Sequence, residues 1–244
     1  METLKPHTGV GPLIDNSYAS RHFFFEIDKE EAKQYNKVYK IDKKFSYIAS
    51  FIGIAFLALA IWLYPGENAI FRFLSLASLI IGGASLILGI ILMIKKTDPT
   101  APLKRGVLNP AIISQIDENG IGLLVLVEVT RGANPKWGFY SIILDKLPTV
   151  HEVKVGERVP VTCTFSTIAN LDYFNNVFIV PISWGTKSKD VINQAINSIN
   201  EIEWNVLESN INRFDFQKHY TNERRLQRLT EDEIYRYSLD KVSG

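Results

Sequence analysis

The chain has 244 residues, room for one or two domains. Its 27 basic and 26 acidic residues nearly cancel, so charge makes no case for a nucleic-acid partner. The single cysteine, Cys163, excludes an intramolecular disulfide and a multi-cysteine zinc site.

Met1–His22 lacks a sustained apolar run, so no secretory signal peptide is expected there. Residues 1–20 are polar, contain Gly and Pro, and read as irregular. "RHFFFEI" at 21–27 reads either as a strand added to a soluble domain or as an interfacial contact. Asp28 followed by Glu31 resembles a capping box. Ala32, Tyr35, Val38 and Tyr39 then share one helical face. Residues 1–44 are therefore read as an N-terminal cytoplasmic segment with a juxtamembrane helix.

Two uncharged runs follow, Phe45–Tyr64 and Phe73–Ile94. A helix rises about 1.5 Å per residue, so some twenty residues cross the roughly 30 Å of a bilayer core. Between the runs, Pro65 cannot continue a helix and Gly66, Glu67 and Asn68 favour a turn or water. A single kinked helix would bury Glu67 and Arg72 at depth, which is costly. The sequence thus predicts a two-helix transmembrane hairpin over 45–94. Lys33, Lys37, Lys40, Lys43 and Lys44 precede it, and Lys95, Lys96, Lys104 and Arg105 follow it. The connecting region holds only Arg72, so both termini are expected on the cytoplasmic side of the cell membrane. Ser75, Ser78, Gly82, Ser85 and Gly89 form a stripe of small residues on one face of the second span. Packing of the two spans on each other is preferred for this stripe over a face that makes a homo-oligomer.

Thr97–Pro102 reads as a linker, and 105–210 as a β-rich cytoplasmic domain. Strands are expected at 107–116, 121–129, 136–144, 150–165 (broken at Gly156) and 176–182, with Pro181 at an edge or end. An OB- or SH3-like barrel is the most economical closure. The fold class is α+β: a membrane hairpin, a small antiparallel β-barrel-like domain, then C-terminal helices. One helix is predicted from Ser188 to about Leu207, with Ile192, Ala195, Ile196, Ile199 and Ile202 on its apolar face. Residues 211–244 read as a charged helical tail, in which Thr230 and Glu233 form a second capping box.

Signals of chemistry are sparse. Alternation places Cys163 on the apolar side of a strand with Val161 and Phe165, as a buried thiol. His7, His22, His151 and His219 lack metal-ligand spacing, and no glycine-rich phosphate loop or serine elbow appears. No cofactor and no metal is expected. The candidate binding residues are Arg131 and Trp137 in the loop "RGANPKWGF", His151, Arg158, and Trp184 in "PISWGT". Turn or core roles compete for each of them. "VGERVP" (155–160), "PISWGT" (181–186) and the helix carrying Glu203-Trp204 resemble an actinobacterial family with a domain of unknown function. The resemblance spans about 105–210. It implies a bacterial membrane protein with a compact β-rich domain and transfers no catalytic residues. Its architecture is also similar to NfeD-type scaffold proteins, though no motif supports that tie.

The preferred expectation is a membrane-tethered interaction or scaffold module that binds the lipid bilayer and a protein partner. The alternatives are an enzyme acting on a membrane-associated substrate, with Trp137, His151, Arg158 and Trp184 converging, and an accessory subunit of a membrane complex.

Overall fold

The computed structural model describes residues 9–11, 21–35, 37–65, 68–94, 98–118, 120–131, 134–167, 171–213 and 226–242. The chain divides into two compact units. One is Tyr35–Pro99; the other joins Met1–Gln34 to Thr100–Gly244.

The N-terminal arm of the larger unit contains β1 (Gly9–Gly11) and β2 (His22–Phe24), an antiparallel pair, and α1 (Lys29–Tyr35). "RHFFFEI" thus belongs to the larger unit. Arg21 accepts the amide of Leu108 at 2.7 Å, and Phe23 and Phe25 are buried. Asp28 Oδ1 caps α1 through the amides of Glu30 and Glu31, at 2.9 and 3.2 Å. The expected capping box is only half formed. The Asp28 amide that Glu31 would bond instead donates to Gly185 at 2.8 Å, and Glu31 pairs with Lys187.

The smaller unit is a helical hairpin of α2 (Lys37–Leu63) and α3 (Ala69–Ile94). Tyr64 and Pro65 form the turn after α2, as proline's missing amide dictates. A Cβ on Gly82 would lie 2.9 Å from the Leu57 amide, and one on Gly53 2.8 Å from the Leu86 amide. Backbones this close demand glycine. Ser46 Oγ donates to Gly89 at 3.0 Å and Ser75 Oγ to Ala60 at 2.8 Å. Ser75, Ser78, Gly82 and Gly89 are buried and Ser85 is half-buried. Large apolar side chains point outward, Phe51, Ile61 and Trp62 being 74–76% exposed.

Beyond the hairpin, α4 (Ala101–Arg105) leads into β3 (Val107–Asp117), β4 (Gly120–Glu128) and β5 (Trp137–Leu144). Then come β6 (Arg158–Ser166), β7 (Asn176–Pro181), α5 (Lys189–Asn197), α6 (Glu201–Ser209), β8 (Leu226–Arg228) and α7 (Glu231–Arg236). The antiparallel sheet runs β7-β6-β3-β4-β5-β8. Its two edges, β7 and β8, stay apart, so the sheet is an open half-barrel rather than a closed barrel. Among the described residues β8 pairs over three, and β7 ends at Pro181, which cannot donate to a ladder. Helices cover what closure would have hidden: α6 packs on β3 and β4, and α5 on β6. Central β4 is buried on both faces from Ile121 to Val127.

Three expected elements differ. Residues 150–155 form a loop, not a strand, because the backbone turns at Val153 (φ +49°) and Gly156 (φ +90°). Gly156 serves no hairpin, since β6 pairs with β3 rather than β5. The single helix predicted from Ser188 is two, because Asn200 Oδ1 caps a new start on the Ile202 amide at 2.9 Å. Within the tail, Leu226–Arg228 is a strand on β5, and 214–225 lies outside the described residues. The Thr230–Glu233 capping box is present.

Candidate functional site

The loop between β5 and β6 crosses over two intervening strands, so it must leave the sheet and return. Its return is pinned by two backbone bonds to β3: Gly156 donates to Ile113 at 2.8 Å, and Ile113 donates to Glu157 at 3.0 Å. Val153 takes a left-handed backbone conformation, which costs a β-branched residue about 1–3 kcal/mol. The turn this produces brings His151 and Glu157 together. His151 Nδ1 donates to Glu157 Oε1 at 2.8 Å, and the same oxygen accepts the Glu152 amide at 3.2 Å. His151 is 7% exposed. Its Nε2 and the second oxygen of Glu157 are both shielded from solvent and have no hydrogen-bond partner.

This loop and one face of α5 enclose a cleft of about 300 Å³. Lys189, Ile192, Asn193 and Ile196 line it from the helix, and Val150, His151, Lys154 and Glu157 from the loop. Arg158 closes one side. Its guanidinium donates to Glu201 at 2.6 and 3.0 Å and to Glu208 at 2.9 Å, and lies 5.1 Å above the Trp204 ring. The hydrogen bonds from Arg158 hold the Glu201 carboxyl below its ordinary range. Lys154 does the same for Glu152 through their ion pair. No lining residue carries a hydroxyl or thiol, so the cleft lacks a serine- or cysteine-type nucleophile. Among the described residues, no three His, Cys, Asp or Glu side chains gather as a metal site would require.

Of the five candidates taken from sequence, only His151 and Arg158 meet at this cleft. Trp137 is 1% exposed within β5, and Trp184 is buried in the turn that follows β7. Arg131 belongs to a separate cluster, donating to Leu171 at 2.8 Å and lying 5.7 Å from the Phe174 ring. Beside it, Lys136 pairs with Asp172, and Arg228 stacks 4.5 Å from Tyr173. Glu157 and Lys189 escaped the sequence reading. Glu157 stood in a glycine turn that looked purely structural, and Lys189 reaches the loop only through the packing of α5 on β6.

A second polar group is fully internal. Glu203 on α6, 0% exposed, receives both guanidinium nitrogens of Arg21, one at 3.0 Å. Nearby Glu128 is bonded to Thr130 at 2.9 Å, and burial raises its pKa.

Residues 95–215 match the family described as Protein of unknown function (DUF3239). The DUF3239 match contains "VGERVP", "PISWGT" and Glu203-Trp204, as well as every residue that lines the cleft. The uncharacterised-domain resemblance read from those stretches therefore holds. A crystal structure from Corynebacterium diphtheriae, described as "a putative membrane protein", is 23% identical and aligns with a TM-score of 0.44. That alignment covers 50% of this chain and 99% of the other. No curated protein matches the chain.

Proposed function

We propose that the protein is a membrane-tethered module, held by the α2–α3 hairpin, whose larger unit works in the cytoplasm by binding a protein partner. One observation carries this reading. The hairpin interrupts a single compact unit, because residues 1–34 and 100–244 fold together. Its two ends therefore emerge on one side of any bilayer it enters, as two full crossings require. The helices support insertion: Lys44–Leu63 and Ala69–Ile94 are long and apolar enough to cross, and their large side chains face outward. Flanking lysines and arginines favour the cytoplasmic side for both ends. Binding is preferred over catalysis because only two of the four residues weighed for an enzyme, His151 and Arg158, meet, while Trp137 and Trp184 are core side chains.

Cysteine labelling tests this in cells carrying Cys163→Ser. Asn68→Cys in the hairpin turn is expected to react with a membrane-impermeant maleimide from outside, and Glu118→Cys only after lysis. The reverse pattern, or recovery of the full chain in a detergent-free high-speed supernatant, would overturn the anchor. Crosslinking in intact cells that recovers no protein partner would remove the second half of the proposal.

A further inference from the structure

We propose that the cleft between the Val150–Glu157 loop and α5 is a binding site for a phosphate monoester, held by His151, Glu157 and Lys189.

The argument starts from the two unpartnered atoms. A buried polar atom without a hydrogen bond is costly, and here two such atoms belong to one bonded pair beside a cleft. Because Nδ1–H is given to Glu157, the other ring nitrogen is what His151 has left to offer. It accepts when the ring is neutral and donates when the ring is charged. The free oxygen of Glu157 can only accept while ionised. A ligand that satisfies both must carry acceptors and a donor within one small group. A phosphate monoester does so, since its second pKa near 6 leaves it a mixture of P–O⁻ and P–OH forms at neutral pH. A carboxylate or a sulfate ester is fully ionised there and brings no proton for Glu157.

Lys189 supplies the cation for such a group. Lys154 is ion-paired with Glu152, and Arg158 with both Glu201 and Glu208, so neither is left for a ligand. Lys189 lines the same cleft and makes no salt bridge among the described residues, acting on Glu152 through its charge alone, so its ammonium can meet an anionic oxygen of the ester. The organic part of the ester lies along Val150, Ile192 and Ile196, which give the cleft an apolar wall.

The test uses the full chain in phosphatidylcholine nanodiscs, titrated calorimetrically with phenyl phosphate and with phenyl sulfate. Phenyl phosphate is expected to saturate and to bind about tenfold more tightly than the sulfate, the equivalent of one added hydrogen bond. His151→Gln and Lys189→Gln are each expected to weaken it about tenfold, and Lys33→Gln to leave it unchanged. Lys189 is a surface residue on a helix, so its variant remains informative should His151→Gln disturb the loop. No saturable heat, equal binding of sulfate and phosphate, or unaltered affinity in Lys189→Gln would each overturn the assignment. Repeating the titration in discs containing phosphatidic acid identifies the source. Loss of the phenyl phosphate signal places the monoester on a lipid headgroup, and an undiminished signal makes it a soluble metabolite.

Discussion

Arg21 grips Glu203 with both guanidinium nitrogens, although 182 positions separate them in the chain. The arginine is partly exposed and the carboxylate is entirely enclosed. Removing the arginine strands a charge inside the fold, whereas removing both groups does not. Arg21→Ala is therefore expected to cost about 3–5 kcal/mol, and the double variant with Glu203→Leu distinctly less. Urea unfolding followed by the fluorescence of buried Trp204 gives both values. A double-variant loss equal to the sum of the Arg21→Ala and Glu203→Leu losses would show that the pair is not coupled.

Substitutions in the hairpin should divide by helix face. On Gly89, a Cβ would come within 2.3 Å of Ser50 Oγ and 2.9 Å of the Ser50 amide, while on Gly83 it would meet nothing within 4 Å. Gly89→Val is expected to part the helices at a cost of roughly 1–3 kcal/mol, and Gly83→Ala to be neutral. Titration of the chain from mild detergent into SDS, followed by helical circular dichroism, reports the loss, with the transition expected unmoved for Gly83→Ala and shifted to less SDS for Gly89→Val.

Two carboxylates predict opposite responses to pH. Glu233 is held below its ordinary range, first by the Thr230 backbone and then by Arg213. Its stabilisation is complete above that range and is lost as pH falls through the lowered value. Thr230→Ala should cost about 0.5–2 kcal/mol at neutral pH, read from amide exchange in α7. Glu128 is raised by burial, so the folded form holds its proton after the unfolded chain has released it. Stability declines as pH climbs from the unfolded value through the raised one. Glu128→Gln should flatten that decline, and an unchanged pH profile would refute its assignment.

The thiol of Cys163 is fully buried, and burial pushes its pKa far above the ordinary thiol range. Alkylation should therefore wait for global unfolding. Its rate across a urea series is expected to follow the unfolding transition. Rapid labelling of the native chain would show that β6 opens locally.

Local signals carried much of the architecture. The uncharged runs and Pro65 announced α2 and α3, and apolar β-branched residues marked β3, β4 and β5. The misread segments depend on contacts distant in sequence. Val153 and Val155 imitate strand alternation, but the Ile113 backbone pins the segment's end as a turn. Leu226–Arg228 has no strand character of its own and gains it from the edge of β5. The binding candidates were half legible. His151 and Arg158 stood out by residue type, yet only packing joined them to Lys189, and nothing local tied Arg21 to Glu203.

The N-terminal arm has a consequence for biosynthesis. A ribosome adds roughly 5–20 residues each second, so Arg21 is made about 9 to 36 seconds before Glu203. Within that interval both hairpin helices are made and can reach the insertion machinery, while the arm has no finished surface on which to dock. Anchoring by the proposed hairpin would thus precede closure of the unit, and α6 locks down a segment made before the hairpin.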